Sequence, residues 1–279
     1  MIPSFDFGGR GPSLHFLHAN GYPPNCYRPL LDRFATRYQT FGMLLRPLWL
    51  NSEPEDIQDW GPFSEDLVQL LDARKLDPVI GVGHSIGAIV TLRAALKDPQ
   101  RFRALVLIEP VLFPRYFMLE WNLMRISGLG YRLHPLIRGA LHRRRRFDDL
   151  ETVFRGYRRR SVFRFLSDEE LRIFIDGITR PRAGGGFELV YRPEWEARIY
   201  YTGIWHDWDL WNGLSDLNIP TLILRGAQSD TFWAATARAV AKKHRRIKIV
   251  ALERSTHLLP LERPNEVFET AESFLEEAL

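Results

Sequence analysis

The residues of this chain with the clearest chemical potential are Gly83-His84-Ser85-Ile86-Gly87. They follow a short apolar run, Pro78 to Val82, and open an amphipathic stretch, Ile86 to Lys97. A serine on so tight a strand-to-helix turn projects its hydroxyl above the edge of a sheet, and flanking glycines remove side chains that would collide in the bend. The N-terminus of the following helix aims its amides at the same point, where they meet developing negative charge. The chemistry open to such a serine is nucleophilic attack on a carbonyl carbon.

A serine hydroxyl is a weak nucleophile until a base takes its proton. Of the eight histidines, His257 is the expected base, because Ser255-Thr256-His257-Leu258-Leu259 lies just after the last apolar strand run. In a parallel sheet the reacting groups sit beyond the carboxyl ends of the strands. His15 falls inside a strand and reads as a hydrogen-bonded structural residue. His84 is held in the elbow beside Ser85, and His134, His142, His206 and His244 fall in or near helical stretches, as surface or capping residues. The base in turn needs a carboxylate that fixes its tautomer and stabilises the imidazolium. Asp230, which follows a strand through Gly226-Ala227-Gln228-Ser229, is the expected acid; Glu109, which ends the run Leu105 to Ile108, is the alternative. Both keep the order serine, acid, histidine. One oxyanion donor is the N–H of Ile86, the residue after the serine. The second is expected from the loop His18-Ala19-Asn20-Gly21-Tyr22-Pro23-Pro24, from Tyr22 or, as runner-up, Asn20.

Positioning these groups requires alternating strands and helices. Leu14 to His18, Gln39 to Leu45, Pro78 to Val82 and Arg103 to Ile108 read as strands; Cys26 to Tyr38, Ile57 to Lys75 and Ile86 to Lys97 read as helices between them. The rhythm stops from about Val111 to Ile204, where only aromatic and Arg-rich helical stretches are found, broken at Ser127 to Gly130 and Pro181 to Gly186. It then resumes with strands at Ile219 to Arg225 and Ile247 to Leu252 and helices at Thr231 to Lys243 and Pro264 to Leu279. The fold class is therefore α/β, a mostly parallel sheet flanked by helices. The expected division is a core from residues 1–110 and 205–279, with residues 111–204 inserted as a helical cap.

A length of 279 residues suits one large domain or a core with one insertion. With 45% hydrophobic and 26% charged residues, disordered, collagen-like and coiled-coil classes are excluded. The lone Cys26 cannot make an internal disulfide, no run reaches the length of a membrane span, and the first residues lack the pattern of a signal peptide. A soluble, cytoplasmic protein is expected. The net charge of +4 hides an asymmetry: Arg138 to Arg182 holds 13 arginines against 7 acidic residues. Basic residues interleaved with aromatics resemble a surface for nucleic acid or anionic membrane. The interrupting Asp148, Asp149, Glu151 and Asp168 to Glu170 favour instead a solvated face with local ion pairs, or a cap in which one arginine faces a substrate carboxylate.

The oxyanion loop, GHSIG, the carboxylate after PTLILRG and the closing THLLPLERP, in this order, resemble the α/β-hydrolase superfamily over nearly the whole chain. The resemblance implies a serine hydrolase without metal or cofactor, acting on esters of small or medium acyl or aryl groups. A C-C bond or lactone hydrolase with the same residues is the alternative, and a non-catalytic binding protein using the Arg-rich cap is the alternative of another class. HANGYP looks like the family's His-Gly-x-Pro oxyanion motif with Asn20-Gly21 in the His-Gly place, which favours the Tyr22 N–H. Ser85 stands where epoxide hydrolases and haloalkane dehalogenases carry an aspartate, and Glu109 stands where some dehalogenase relatives carry their acid. Leu258 stands where C-C hydrolases usually carry tryptophan. The stretch LLRPLWLNSEP departs from the common Asp-x-Arg-Gly pattern. The implied partner is a small-molecule ester, with no nucleic acid.

Overall fold

The computed structural model describes every residue except 1, 77, 206 and 245. Ten strands occur among the described residues: β1 (Ser4–Gly8), β2 (Ser13–Leu17), β3 (Gln39–Met43), β4 (Val79–His84), β5 (Phe102–Ile108), β6 (Arg146–Phe147), β7 (Thr179–Pro181), β8 (Phe187–Leu189), β9 (Thr221–Gly226) and β10 (Ile247–Leu252). Seven form one sheet in the order β1-β3-β2-β4-β5-β9-β10. All its neighbours are parallel except β1, which runs antiparallel to β3. The sheet is the mostly parallel α/β sheet expected. β1 was not foreseen; its short alternation of Phe5 and Phe7 lies among turn-forming glycines.

Both faces of the sheet are covered, so its central strands are apolar without interruption. Along β5, Leu105 and Leu107 enter one hydrophobic core while Ala104, Val106 and Ile108 enter the other. The first core is closed by the helices Gly61–Arg74, Ile86–Lys97 and Ala234–Lys243, and the second by Arg28–Phe34 and Pro264–Ala278. Burying each such leucine or valine contributes roughly 1.5–3 kcal/mol. The expected helix from Cys26 to Tyr38 is shorter in fact: a 3-10 turn at Pro24–Tyr27 precedes it, and it ends at Phe34. In register, His84 pairs with Ile108 and Ile108 with Leu224. The carboxyl ends of β4, β5 and β9 are therefore level, and the residues that follow them share one edge.

Everything between β5 and β9 lies outside this sheet. The segment is largely helical, and its helix starts are locally encoded: Asp149 accepts from the Thr152 N–H, and Ser167 and Glu170 form a reciprocal capping box. It also contains a small antiparallel sheet, β6-β8-β7, which corrects the purely helical expectation. Strands of two and three residues are too short to leave an alternating pattern in the sequence. No helix among the described residues is long and apolar enough to cross a membrane.

Two buried histidines fasten the sheet near its center. His15 Nε2 accepts from the Met43 N–H at 3.1 Å, and His18 Nε2 accepts from the Leu45 N–H at 3.1 Å. Burial is the main cause that pushes His15 down to about 3 and His18 down to about 4. Unfolded, both would titrate near 6.5. Between pH 6.5 and about 4 the unfolded chain thus binds protons that the native chain does not, so stability falls as the pH is lowered through this window. From pH 7 to pH 5 these two groups remove roughly 3–4 kcal/mol. Urea denaturation at the two pH values checks this, and an equal midpoint at both would contradict it.

Candidate active site

Ser85 lies in the turn between β4 and the helix Ile86–Lys97, at φ 59° and ψ −120°. Such a backbone costs a non-glycine residue of order 1–3 kcal/mol and persists only where its surroundings enforce it. They do so here by close packing. A Cβ on Gly83 would stand 2.5 Å from the Gly87 carbonyl carbon, and a Cβ on Gly87 would stand 2.1 Å from the Leu17 carbonyl oxygen. The Ser85 N–H donates to the Ile108 oxygen at 3.0 Å, tying the elbow to the end of β5. Because the atoms opposing Gly87 belong to backbone, Gly87→Ala is expected to destabilise the fold by at least about 2 kcal/mol. Its urea midpoint measures this, and a wild-type midpoint would contradict it.

The Ser85 hydroxyl lies 3.0 Å from His257 Nε2, and His257 Nδ1 lies 3.1 Å from Glu109 Oε2. Glu109 is fully buried and follows β5 directly, with a positive φ of 49°. Its carboxylate also accepts from the Gly226 N–H at 2.6 Å and from the Ser229 hydroxyl. An acceptor with these three donors holds the imidazole with its proton on Nδ1 and its lone pair toward the serine.

Asp230, the carboxylate expected to meet His257, does not reach it. It is exposed, and among the described residues its side chain accepts only from the Thr231 hydroxyl, at 3.2 Å. The reason lies in the turn after β9. The Ala227 N–H donates to the Leu252 oxygen and the Gln228 N–H to the Ser255 oxygen, which fastens the turn to the histidine loop. In that position it delivers Gly226 and Ser229 to Glu109 and turns Asp230 outward. The alternative carboxylate, Glu109, occupies the place beside the imidazole.

A chain of hydrogen bonds fixes three loops relative to one another. The Ala19 N–H donates to the Tyr27 hydroxyl at 3.1 Å, Tyr27 meets His84 Nδ1 at 2.8 Å, and His84 Nε2 meets the His257 carbonyl at 2.8 Å. Burial holds His84 well below its ordinary pKa, hence neutral, so its Nε2–H donates and its Nδ1 accepts. The loop is further tied by Glu262, which accepts from the Thr256 N–H at 2.6 Å and hydroxyl at 2.7 Å. Tyr27, Ser229 and Glu262 were not singled out from the sequence; the only signal was Glu262 within LERP.

Ile86 is the first residue of its helix, so its N–H has no acceptor within the helix. The second donor expected, the Tyr22 N–H, is engaged: it closes a turn on the Ala19 oxygen at 3.2 Å. Gly21, at φ 77°, allows that turn. The Asn20 N–H has no acceptor among the described residues, so the runner-up is the amide left free. Of the remaining histidines, His15 is the structural residue expected, and His142 is exposed. His244 takes the capping position, ending the helix Ala234–Lys243, and it is buried there, with Nε2 on the Leu217 carbonyl at 2.7 Å. His134 is partly buried, and His206 lies outside the described residues.

Much of the arginine-rich segment is spent on local ion pairs. Arg144 meets Asp148, Arg158 meets Asp168, Arg172 meets Glu151 and Arg180 meets Glu188. Its aromatic residues mostly pack: Tyr157, Phe163 and Phe174 stack at centroid distances of 5.2–5.8 Å.

Residues 16–270 match the model of the Alpha/beta hydrolase family. The chain is 25% identical over 272 residues to 2-(acetamidomethylene)succinate hydrolase of Mesorhizobium japonicum, covering 96% of this chain and 89% of that protein. It is 19% identical over 274 residues to (E)-2-((N-methylformamido)methylene)succinate hydrolase of Acinetobacter baylyi, covering 96% and 92%. A crystal structure of E-2-(acetamidomethylene)succinate hydrolase superimposes with a TM-score of 0.79 at 21% identity, over 99% of this chain and 95% of that one.

Proposed function

The chain belongs to the alpha/beta hydrolase family, and on that premise we propose that it cleaves small carboxylic esters by two-step acyl transfer through Ser85. The observation that carries this reading is the run of contacts from the Ser85 hydroxyl through His257 to Glu109, at 3.0 and 3.1 Å. His257 Nε2 takes the serine proton as Oγ attacks the carbonyl carbon. The oxyanion that forms is held by the N–H groups of Ile86 and Asn20, each worth about 3–4 kcal/mol in the transition state. Glu109 stabilises the imidazolium, which then protonates the leaving alcohol. Water, deprotonated by the same imidazole, attacks the acyl-serine and restores the hydroxyl. No metal or cofactor enters these steps.

Extension from ester to amide is supported by the two relatives named above, whose names specify acetamido and formamido compounds. An amide demands more of His257, since the nitrogen must be protonated before it leaves.

A fluorophosphonate probe tests the common step. It is expected to label the native chain at Ser85 and to leave Ser85→Ala unlabelled. A folded wild-type chain that resists the probe would overturn the proposal.

A further inference from the structure

Against the oxyanion loop, the segment between β5 and β9 places a second group of buried polar side chains that the acyl-transfer steps do not use. Glu196, on the helix Pro193–Thr202, accepts from Asn20 Nδ2 through its main-chain oxygen at 3.1 Å. Its carboxylate lies over Gly21, 3.4 Å from where a Cβ would stand. Arg143 pairs with that carboxylate at 2.9 Å, with side-chain exposures of 24% for the arginine and 5% for the glutamate. Alone of the four consecutive arginines, Arg143 is thus drawn to the loop that holds Asn20.

The group has more donors than acceptors. The Arg143 Nε–H and the Tyr157 hydroxyl are buried and have no partner among the described residues. The Tyr191 hydroxyl lies beside the Gly21 amide, and its own proton meets no acceptor there. Tyr157 and Tyr191 are each only 4% exposed, so bulk water does not serve them. Arg160, whose guanidinium lies 4.6 Å from the Tyr157 ring center, adds a second positive charge. Arg160 is itself exposed, so the buried Arg143 and Glu196 balance each other and the excess positive charge stands at the rim of the group. Buried donors without acceptors are costly, and charge-assisted bonds from guanidinium and phenol to a carboxylate are the ones that satisfy them best.

We propose that Arg143, Tyr157 and Tyr191 form a carboxylate subsite, so that the substrate is a half-ester or half-amide of a small dicarboxylic acid. The subsite borders Asn20 and Gly21, so the free carboxylate belongs to the acyl part, a few bonds from the carbonyl that Ser85 attacks. This rests on the acyl-transfer reading for the position of the scissile bond, whereas recognition of the carboxylate does not.

Two measurements separate the claims. The first compares hydrolysis of monoethyl succinate with that of ethyl 4-methylpentanoate, a neutral ester of similar shape. The wild-type chain is expected to prefer the half-ester at least about tenfold in kcat/KM, and Tyr157→Phe and Tyr191→Phe each to lower that preference about tenfold through KM. Removing a hydroxyl whose proton has no acceptor is not expected to lower the urea midpoint, so these variants report on recognition even if Arg143→Gln fails to fold. The second measures succinate binding to Ser85→Ala by calorimetry, where adding Tyr157→Phe is expected to weaken binding about tenfold. Preference for the neutral ester, or equal losses on both esters in the tyrosine variants, would overturn the subsite, as would absence of succinate binding. Succinate binding without turnover of either ester would instead overturn ester cleavage and leave the subsite standing.

Discussion

Ser85→Ala is expected to lower kcat/KM for an ester turned over by the wild-type chain by about 10⁵–10⁶-fold, and His257→Ala by nearly as much. The double variant is expected to be no worse than either single one. In the proposed mechanism the serine and the imidazole act as a unit: an alkoxide is not reached without the base, and the base has nothing to deprotonate without the hydroxyl. What survives is the contribution of the oxyanion donors and of substrate binding, roughly 10³–10⁴-fold over water. Steady-state rates of the two single variants and the double, corrected for spontaneous hydrolysis, check this. Losses that multiply in the double variant would mean that Ser85 and His257 serve separate steps.

Glu109→Gln is expected to lower kcat by about 10⁴-fold, and Asp230→Asn to leave it within about twofold. Glutamine keeps the size of the side chain but places an amide where the carboxylate accepts from His257 Nδ1, at 3.1 Å in the native chain. An amide N–H in that position favours the tautomer with its proton on Nε2, which faces Ser85 with a donor and cannot take the serine proton. It also removes the negative charge that stabilises the imidazolium. Asp230 is exposed and bonded within its own turn, so neutralising it alters a solvated charge. Kinetics of the two variants side by side decide the matter; a collapse in Asp230→Asn with an active Glu109→Gln would reverse the assignment. Ser229→Ala, which removes only one donor to Glu109, belongs between these extremes.

The elbow was legible because every requirement for it is local. A buried strand, a glycine, a serine, a second glycine and a helix follow one another within about 20 residues, from Val79 to Lys97. The collisions that demand Gly83 are with the next turn of the same chain, the Gly87 and Ala88 backbone. His257 was legible for a related reason: a loop that follows the last parallel strand must emerge at the carboxyl edge, whatever the details of the sheet.

Which carboxylate faces His257 was not legible, because Asp230 and Glu109 both follow strands and both precede the histidine. Which of them meets Nδ1 depends on contacts between distant segments, such as the Gln228 N–H on the Ser255 oxygen, and no spacing encodes these. The same holds for the second proposed oxyanion donor, where a single turn bond engages the Tyr22 amide and Asn20 is left as the candidate. The short strands β6, β7 and β8 escaped because two or three residues carry no period.

The sequence by itself determined the α/β class, the mostly parallel sheet, the serine elbow and the place of the histidine loop, since short-range sterics and the alternation of apolar runs dictate them. Only the tertiary structure decided that Glu109 faces His257 while Asp230 faces water. It alone also distinguished Arg143 from the arginines beside it, by burying it against Glu196 and the oxyanion loop. A charge in a run of like charges acquires an identity only when the fold chooses which one leaves the solvent.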